Sequence, residues 1–223
     1  MCDYPEQGLA AEHLQRCYEL APPRTQQYLE AELAHVLDLI KPNDVVIELG
    51  CGYGRILPAL ARKARLVIGI DTCRSSIDLG HKLLADVPNC RLFEMNALAL
   101  RFPDRFFDKV ICIQNGLSAF HVDQKALVLE AVRVTRKGGT ALFSTYAGEF
   151  WQHRLEWLRL RSEAGLVGPI DWDKTHDGTI VRADGLTATT LTSAEFRTLT
   201  QCLAADVHIT EVDESSLFCE ITP

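Results

Sequence analysis

Features that define several protein classes are missing from this 223-residue sequence. No stretch reaches the roughly 18 uninterrupted apolar residues that a membrane helix needs, and the N-terminal residues contain no apolar core of the kind found in secretion signals. The eight cysteines include no pair at C-x-x-C spacing, which argues against zinc ribbons and thioredoxin-like redox sites. We therefore expect a cytoplasmic protein with no membrane partner and no metal site.

Long basic clusters are also missing. Lys and Arg number 23 against 30 Asp and Glu, which gives a net charge of −7. The densest basic stretch, with Arg154, Arg159 and Arg161, is interrupted by Glu156 and is typical of the solvent-facing side of a helix. Proteins that bind nucleic-acid phosphates usually present a basic face, so the sequence predicts no nucleic-acid partner.

The sequence has the composition of one ordinary globular domain, with 47% hydrophobic and 24% charged residues. From residue 44 onward, short apolar runs alternate with helical patterns. The runs are apolar throughout, which is typical of parallel strands covered on both faces. This order predicts an α/β fold with a doubly wound sheet. The expected strands are residues 45–49, 65–70, 91–95, 107–113 and 140–145, separated by helices that include 55–63 and 123–136. Gly138-Gly139 is interpreted as the C-terminal glycine signal of the second of these helices.

Segments outside this alternation are expected to cover the sheet. Helical patterns at 6–20 and 22–40 precede the first strand, and they predict an N-terminal helical lid over residues 1–41. After the fifth strand, residues 146–191 interrupt the alternation of strands and helices. They are predicted to form a helix at 149–164 and a hairpin with its turn at Asp184-Gly185. We expect this insertion to contribute the substrate side of a single domain whose core is residues 42–145 and 192–223.

The C-terminal segment also departs from the parallel order of the preceding strands. Thr192 and Glu195 form a capping-box pattern that begins a helix. Two strands follow, at 207–212 and 217–221, and the connection between them is too short for a crossover. The last two strands must therefore be antiparallel.

A glycine-rich turn is the most informative motif. Gly50, Gly52 and Gly54 lie between the first strand and its helix, where glycine permits positive φ and close approach of a ligand. A dinucleotide-binding turn favours a small residue at the position of Arg55. Glu48, just before the turn, would repel a pyrophosphate but suits a ligand with ammonium and sulfonium groups. The turn therefore favours a cationic ligand.

Polar residues follow the other strands at the same edge of the sheet, where open α/β sheets bind ligands. An acidic residue after the second strand can accept hydrogen bonds from ribose hydroxyls. Side-chain amides after the third and fourth strands can reach an adenine edge and the reaction zone. These residues are Asp71 with Thr72, Asn96 with Ala97, and Gln114 with Asn115.

Taken together, ELGCGYGR at 48–55, Asp71, Asn96-Ala97 and the closing strand pair resemble the class I S-adenosylmethionine-dependent methyltransferases. The resemblance implies a Rossmann-like seven-stranded sheet of order 3-2-1-4-5-7-6 with strand 7 antiparallel. It also implies a methyltransferase that uses S-adenosylmethionine. The cofactor-binding residues that it implies are Glu48, Gly50, Cys51, Gly52, Gly54, Asp71, Thr72, Asn96, Ala97, Gln114 and Asn115.

The sequence indicates the methyl acceptor less closely than it indicates the cofactor. Family members that methylate DNA adenine or protein glutamine carry an Asn/Asp-Pro-Pro-aromatic motif after the fourth strand, whereas residues 114–117 read Gln-Asn-Gly-Leu. A small-molecule acceptor is expected, methylated on oxygen, nitrogen, sulfur or carbon. Its pocket should be partly aromatic, with Tyr146, Trp151, His153 and Trp172 contributed by the insertion. If the acceptor must lose a proton, Tyr146, His121 or His153 is the candidate base. Two alternatives stay open, namely a catalytically silent adenosylmethionine-binding module and a nicotinamide-dependent dehydrogenase.

Overall fold

A computed structural model describes residues 10–223, and a seven-stranded mixed sheet forms its centre. The sheet order is β3-β2-β1-β4-β5-β9-β8, with β9 antiparallel to both β5 and β8 and the other neighbours parallel. This confirms the predicted order, with β8 and β9 as the sixth and seventh strands of the sheet. The strands are β1 Val45–Leu49, β2 Leu66–Asp71, β3 Cys90–Glu94, β4 Phe107–Cys112, β5 Thr135–Tyr146, β8 Asp206–Val212 and β9 Ser216–Thr222.

Helices cover both faces of the sheet because its central strands are apolar on both sides. In β1, Ile47 belongs to a core cluster that includes Leu127 of α6, while Val46 belongs to a second cluster that includes Leu60 of α3. The alternating side chains of one buried strand therefore reach two separate cores. The helices are α1 Ala10–Glu19, α2 Pro23–Leu39, α3 Leu57–Ala61, α4 Arg74–Leu83, α5 Gly116–Ala119, α6 Gln124–Val134, α7 Trp151–Glu163 and α8 Ser193–Thr200.

The sequence interpretation of Gly138-Gly139 as the end of a helix is wrong. Helix α6 ends at Val134, and both glycines lie inside β5. Gly138 has φ +69°, and a Cβ added at Gly139 would lie 2.7 Å from the carbonyl oxygen of Asp108. The pairing register between β4 and β5 also shifts at this point. The glycines therefore permit a close, irregular strand approach.

The N-terminal helices and the segment after β5 pack together. A third apolar cluster joins Tyr28 of α2 to Phe150 and Trp157. The indole N–H of Trp157 donates to the carbonyl of Cys17 in α1 at 2.9 Å. The predicted hairpin is present but short, with strands β6 Ile180–Val181 and β7 Thr187–Ala188. The part of the predicted first helix before residue 10 lies outside the described residues.

Candidate functional site

The glycine-rich turn has the left-handed backbone that its sequence predicts. Gly50, Gly52 and Gly54 have φ of +73°, +56° and +82°. Several N–H groups of the turn are already used inside the protein, since those of Gly50 and Cys51 both donate to the carbonyl of Ile70, at 2.8 and 2.9 Å. A pyrophosphate-binding turn needs such donors for its ligand. The geometry therefore agrees with a ligand that presents no anionic group to these N–H groups.

Asp71 connects the end of β2 to the glycine turn. Its Oδ2 accepts from the N–H of Gly52 at 2.9 Å, and its Oδ1 accepts from the N–H of Cys73 at 2.8 Å. A carboxylate has about four lone-pair positions, so these bonds leave capacity for a ligand. Thr72, which follows, is exposed.

A cavity of about 960 Å³ opens over the carboxyl ends of the strands. Pockets that hold one drug-sized ligand measure about 300–1,000 Å³, so the space is at the upper end of that range. Among the described residues, the structure brings seven of the predicted cofactor residues to this cavity. They are Gly50, Asp71, Thr72, Asn96, Ala97, Gln114 and Asn115.

The other four predicted cofactor residues are buried outside the cavity lining. The ring of Phe120 lies against Gly50, and a Cβ added at Gly52 would be 2.7 Å from a methyl group of Leu14 in α1. A ligand that contacts Gly52 must therefore displace Leu14. The four residues outside the lining are Glu48, Cys51, Gly52 and Gly54.

The amide residues at the strand ends have structural partners. Asn96 accepts from the N–H of Leu98 at 2.9 Å, which forms a tight side-chain turn. Asn115 is buried, accepts from the hydroxyl of Thr145 at 2.8 Å and donates to the carbonyl of Thr189 at 3.1 Å. Asn115 thus ties the hairpin segment to β5, in addition to lining the cavity.

Two ionisable side chains beside the turn, buried Glu48 and half-buried Arg55, have buried atoms without partners. Within residues 10–223, Oε2 of Glu48 and Nη2 of Arg55 have no hydrogen-bond partner. Burial raises the pKa of Glu48 to about 8, Arg55 opposes that rise, and Asp71 adds to it. The guanidinium of Arg55 lies 4.4 Å from the ring centroid of Tyr18 in α1. One carboxyl oxygen and one guanidinium N–H group beside the turn are therefore without partners.

Glu32 was missed by the sequence analysis. It is fully buried on α2, where its Oε1 accepts from the hydroxyl of Ser144 at 2.5 Å and from the N–H of Gln114 at 3.2 Å. Burial raises the pKa of Glu32 to about 7. Glu32 lies three residues after Leu29 and four before Val36, and therefore on the apolar stripe of α2. An acidic residue on such a stripe is the sequence signal that could have identified it.

Two of the three candidate bases line the cavity. Tyr146, at the end of β5, and His121 both lie in its wall. The guanidinium of Arg154 lies 4.6 Å from the ring centroid of Tyr146. His153 is outside the lining, with its side chain 43% exposed and 3.8 Å from Glu156.

The end of the cavity beyond Tyr146 is formed largely by the insertion. Trp157 lines it, whereas Trp151 and Trp172, which the sequence analysis expected in an aromatic pocket, do not. Three arginines also line this end, and the sequence analysis assigned two of them to a solvent-facing helix side. They are Arg154, Arg161 and Arg182. Of these, Arg154 is 3% exposed, so the exposed-face interpretation is wrong for it.

Residues 10–223 contain neither a metal-binding cluster nor a membrane-spanning helix. No cluster of three or more His, Cys, Asp or Glu side chains there is arranged to hold a metal ion. In the same range, every helix is too short or too polar to cross a membrane.

Comparison with known proteins agrees with this geometry. Residues 46–139 match the methyltransferase domain family. A ubiquinone biosynthesis O-methyltransferase of Paracidovorax citrulli is 36% identical over 105 residues, which are 45% of this chain and 42% of that protein. A probable ribosomal RNA small subunit methyltransferase A of Methanosarcina acetivorans is 32% identical over 72 residues, 32% of this chain and 26% of that protein. The chain thus spans less than half the length of these relatives.

A solved structure supports the same fold over the whole chain. A putative S-adenosyl-L-methionine-dependent methyltransferase of Methanococcus maripaludis superposes with a TM-score of 0.68 at 13% identity, covering 99% of this chain and 95% of that one. Residues 46–139 thus match the methyltransferase domain family, and the fold of the chain is that of S-adenosylmethionine-dependent methyltransferases.

Proposed function

We propose that this protein transfers a methyl group from S-adenosylmethionine to a small-molecule acceptor. One observation carries the proposal, namely that Oε2 of the Glu48 carboxyl group and Nη2 of the Arg55 guanidinium, on either side of the glycine turn, have no hydrogen-bond partner within residues 10–223. An amino-acid group presents an ammonium and a carboxylate side by side, which matches this pair. Buried polar atoms are normally hydrogen-bonded, so the pair fits a ligand of this chemistry.

The remaining cofactor contacts extend from the turn toward the third strand. Asp71 has spare acceptor capacity for ribose hydroxyls, and Asn96 with Ala97 offers a polar and an apolar contact for an adenine edge. Gln114 adjoins the reaction zone, where Tyr18 donates to its Oε1 at 2.6 Å. These assignments agree with the cavity lining.

The chemistry needs little from the protein beyond alignment and exclusion of water. A lone pair of the acceptor bonds to the activated methyl carbon of S-adenosylmethionine while the carbon–sulfur bond breaks and its electron pair stays on sulfur. The N-terminal helices act as a lid, and residues 146–191 form the acceptor side. If the acceptor atom carries a proton, Tyr146 or His121 takes it up.

A small molecule fits this site better than a nucleic acid does. The relatives include proteins named for both kinds of substrate, so the argument comes from this chain alone. Its net charge is −7, and the cavity reaches into the protein between α1, α7 and the hairpin. Strand phosphates need basic surface, whereas a concave cavity that extends into the protein selects small ligands.

Turnover tests the activity. The protein is incubated with S-adenosylmethionine and fractionated small metabolites, and adenosylhomocysteine is measured by mass spectrometry. The proposal expects metabolite-dependent formation of adenosylhomocysteine. Tight cofactor binding without turnover on any fraction would instead support the silent binding module, and absence of cofactor binding would contradict the proposal outright.

A further inference from the structure

We propose that the acceptor carries an oxyanion, a carboxylate or a phosphate, on an apolar body, and that Arg161 and Arg182 bind this oxyanion. This inference rests on the proposed function, because it assigns the acceptor end of the same cavity. The charges of the described lining are divided between its two ends. Asp71 is the one carboxylate among these lining residues and lies at the cofactor end, while the arginines lie at the insertion end.

Arg154 has a structural role at that end. Its Nη1 donates to the carbonyl of Gly178 at 2.8 Å and its Nη2 to that of Ala188 at 3.2 Å. These bonds hold the hairpin against α7, and burial lowers the pKa of the guanidinium. Carbonyls satisfy its donors but do not cancel its charge. Arg154 therefore contributes positive potential to the cavity without being a free ligand group.

Arg161 and Arg182 have donor capacity left. The guanidinium of Arg161 lies 4.1 Å from the ring centroid of Trp157, and its Nε donates to the Trp157 carbonyl at 3.4 Å. Arg182 pairs through Nη2 with Asp184 at 2.6 Å, while its buried Nε has no partner within residues 10–223. Guanidinium groups bind carboxylate and phosphate through paired N–H donors. Two such groups at one cavity end fit a single oxyanion.

The walls around these arginines are apolar. Attraction between opposite charges is stronger there than in water because the surroundings have a lower dielectric constant. The same walls suit an aliphatic or aromatic body attached to the oxyanion. They are formed by Leu158, Leu166, Val167, Pro169, Ile170 and Ile180.

An RNA phosphate is a poorer occupant than a small amphiphile. Arg154 is 3% exposed, and the side chain of Arg182 is 26% exposed. Strand binding needs cations that several successive phosphates can reach from solvent. The recessed arginines instead suit one oxyanion that enters the cavity.

Matched probes test this inference. Octanoate, octyl phosphate and 1-octanol share one chain and differ in head group, and each is titrated calorimetrically into the protein with and without adenosylhomocysteine. We expect at least one anion to bind about tenfold or more tightly than octanol. The carboxylate and phosphate arms show which oxyanion is preferred. Separate binding of adenosylhomocysteine reports on the proposed function.

Variants locate the effect. Arg161→Gln and Arg182→Gln are each expected to remove most of the anion preference while octanol and adenosylhomocysteine bind as before. Arg159→Gln is the matched control, since Arg159 is on the same helix but lies 5.4 Å from the ring centroid of Trp172, outside the cavity lining. It should keep the preference within about twofold.

Several results would overturn the inference. Equal binding of octanol and both anions, or no binding of any probe, removes its basis. Equal loss of preference in the Arg159→Gln control shows that the effect is not local. Competition by a short RNA hairpin that binds through Arg161 and Arg182, with no binding of octanoate or octyl phosphate, assigns the arginines to a nucleic acid instead.

Discussion

The phenolic hydroxyl of Tyr18 donates to Oε1 of Gln114 at 2.6 Å. This bond joins α1, which precedes the sheet, to the side chain of Gln114, two residues after β4. The same tyrosine ring lies under the guanidinium of Arg55 at 4.4 Å. One side chain therefore attaches the proposed lid to both the glycine turn and the reaction zone, so opening of α1 and access of the cofactor must be coupled.

Tyr18→Phe should loosen the lid. The variant keeps the ring but loses one side-chain hydrogen bond, which contributes about 1 kcal/mol. Hydrogen exchange of the amides in α1 should therefore become about fivefold faster in the ligand-free protein, and adenosylhomocysteine should slow it again. Tyr28→Phe is the control, because Tyr28 lies on α2 and its hydroxyl contacts Glu32 at 3.5 Å. Unchanged exchange in Tyr18→Phe would contradict the coupling.

Gly52→Ala should abolish cofactor binding, and Gly185→Ala should not. Both glycines have positive φ, +56° and +86°, so alanine costs about 1–2 kcal/mol of stability at each. At Gly52 the added methyl also meets Leu14, whereas at Gly185 it meets nothing within 4 Å. Urea unfolding and calorimetric titration measure the two effects. Equal cofactor affinity in both variants would show that the turn is not a contact surface.

Cofactor affinity should rise with pH in a manner that depends on Glu48. Its pKa of about 8 leaves the side chain mostly neutral at pH 6. Binding of an ammonium favours the carboxylate, so binding releases a proton and tightens as pH rises from 6 toward 8, by up to about tenfold per unit. In Glu48→Gln this part of the pH dependence should disappear. A slope equal to that of the wild type would exclude Glu48 as the ammonium acceptor.

Tyr146→Phe and His121→Gln test the proton acceptor. If one of these residues takes the acceptor's proton, its variant should lose about 10²–10⁴-fold in kcat with cofactor affinity changed by no more than a few-fold. His153→Gln provides a comparison, since His153 lies outside the cavity lining. Full activity of both cavity variants would mean that the acceptor needs no base from this chain.

Much of the sheet was predictable because apolar runs, connection lengths and one glycine-rich turn are local features of the sequence. They indicate the parallel strands, the closing antiparallel pair and the edge at which ligands bind, whereas the strand order was implied by the resemblance to the methyltransferases. The error at Gly138-Gly139 has a physical cause, since a glycine pair after a helix and a glycine pair inside an irregular strand look alike in sequence. Only the close approach to Asp108 distinguishes them.

The acceptor end was less predictable because it depends on packing between distant segments. Arg154 is charged, which in sequence predicts an exposed side chain. In the structure it is buried, and the carbonyls of Gly178 and Ala188 accept its hydrogen bonds. Glu32 likewise depends on Ser144, which is 112 residues away. Such residues become recognisable in sequence only by their place on an apolar helix stripe.

Calorimetric titration of adenosylhomocysteine into the wild type and Asp71→Asn tests the central claim most directly. The wild type should bind one equivalent. Asp71→Asn keeps the size of the side chain but loses its charge, and hydrogen bonds to charged groups contribute roughly 1.5–3 kcal/mol, so affinity should fall by about one to two decades. Asp78→Asn, on the exposed side of α4, should bind as the wild type does. No binding to the wild type, or equal affinity in all three proteins, would contradict the account.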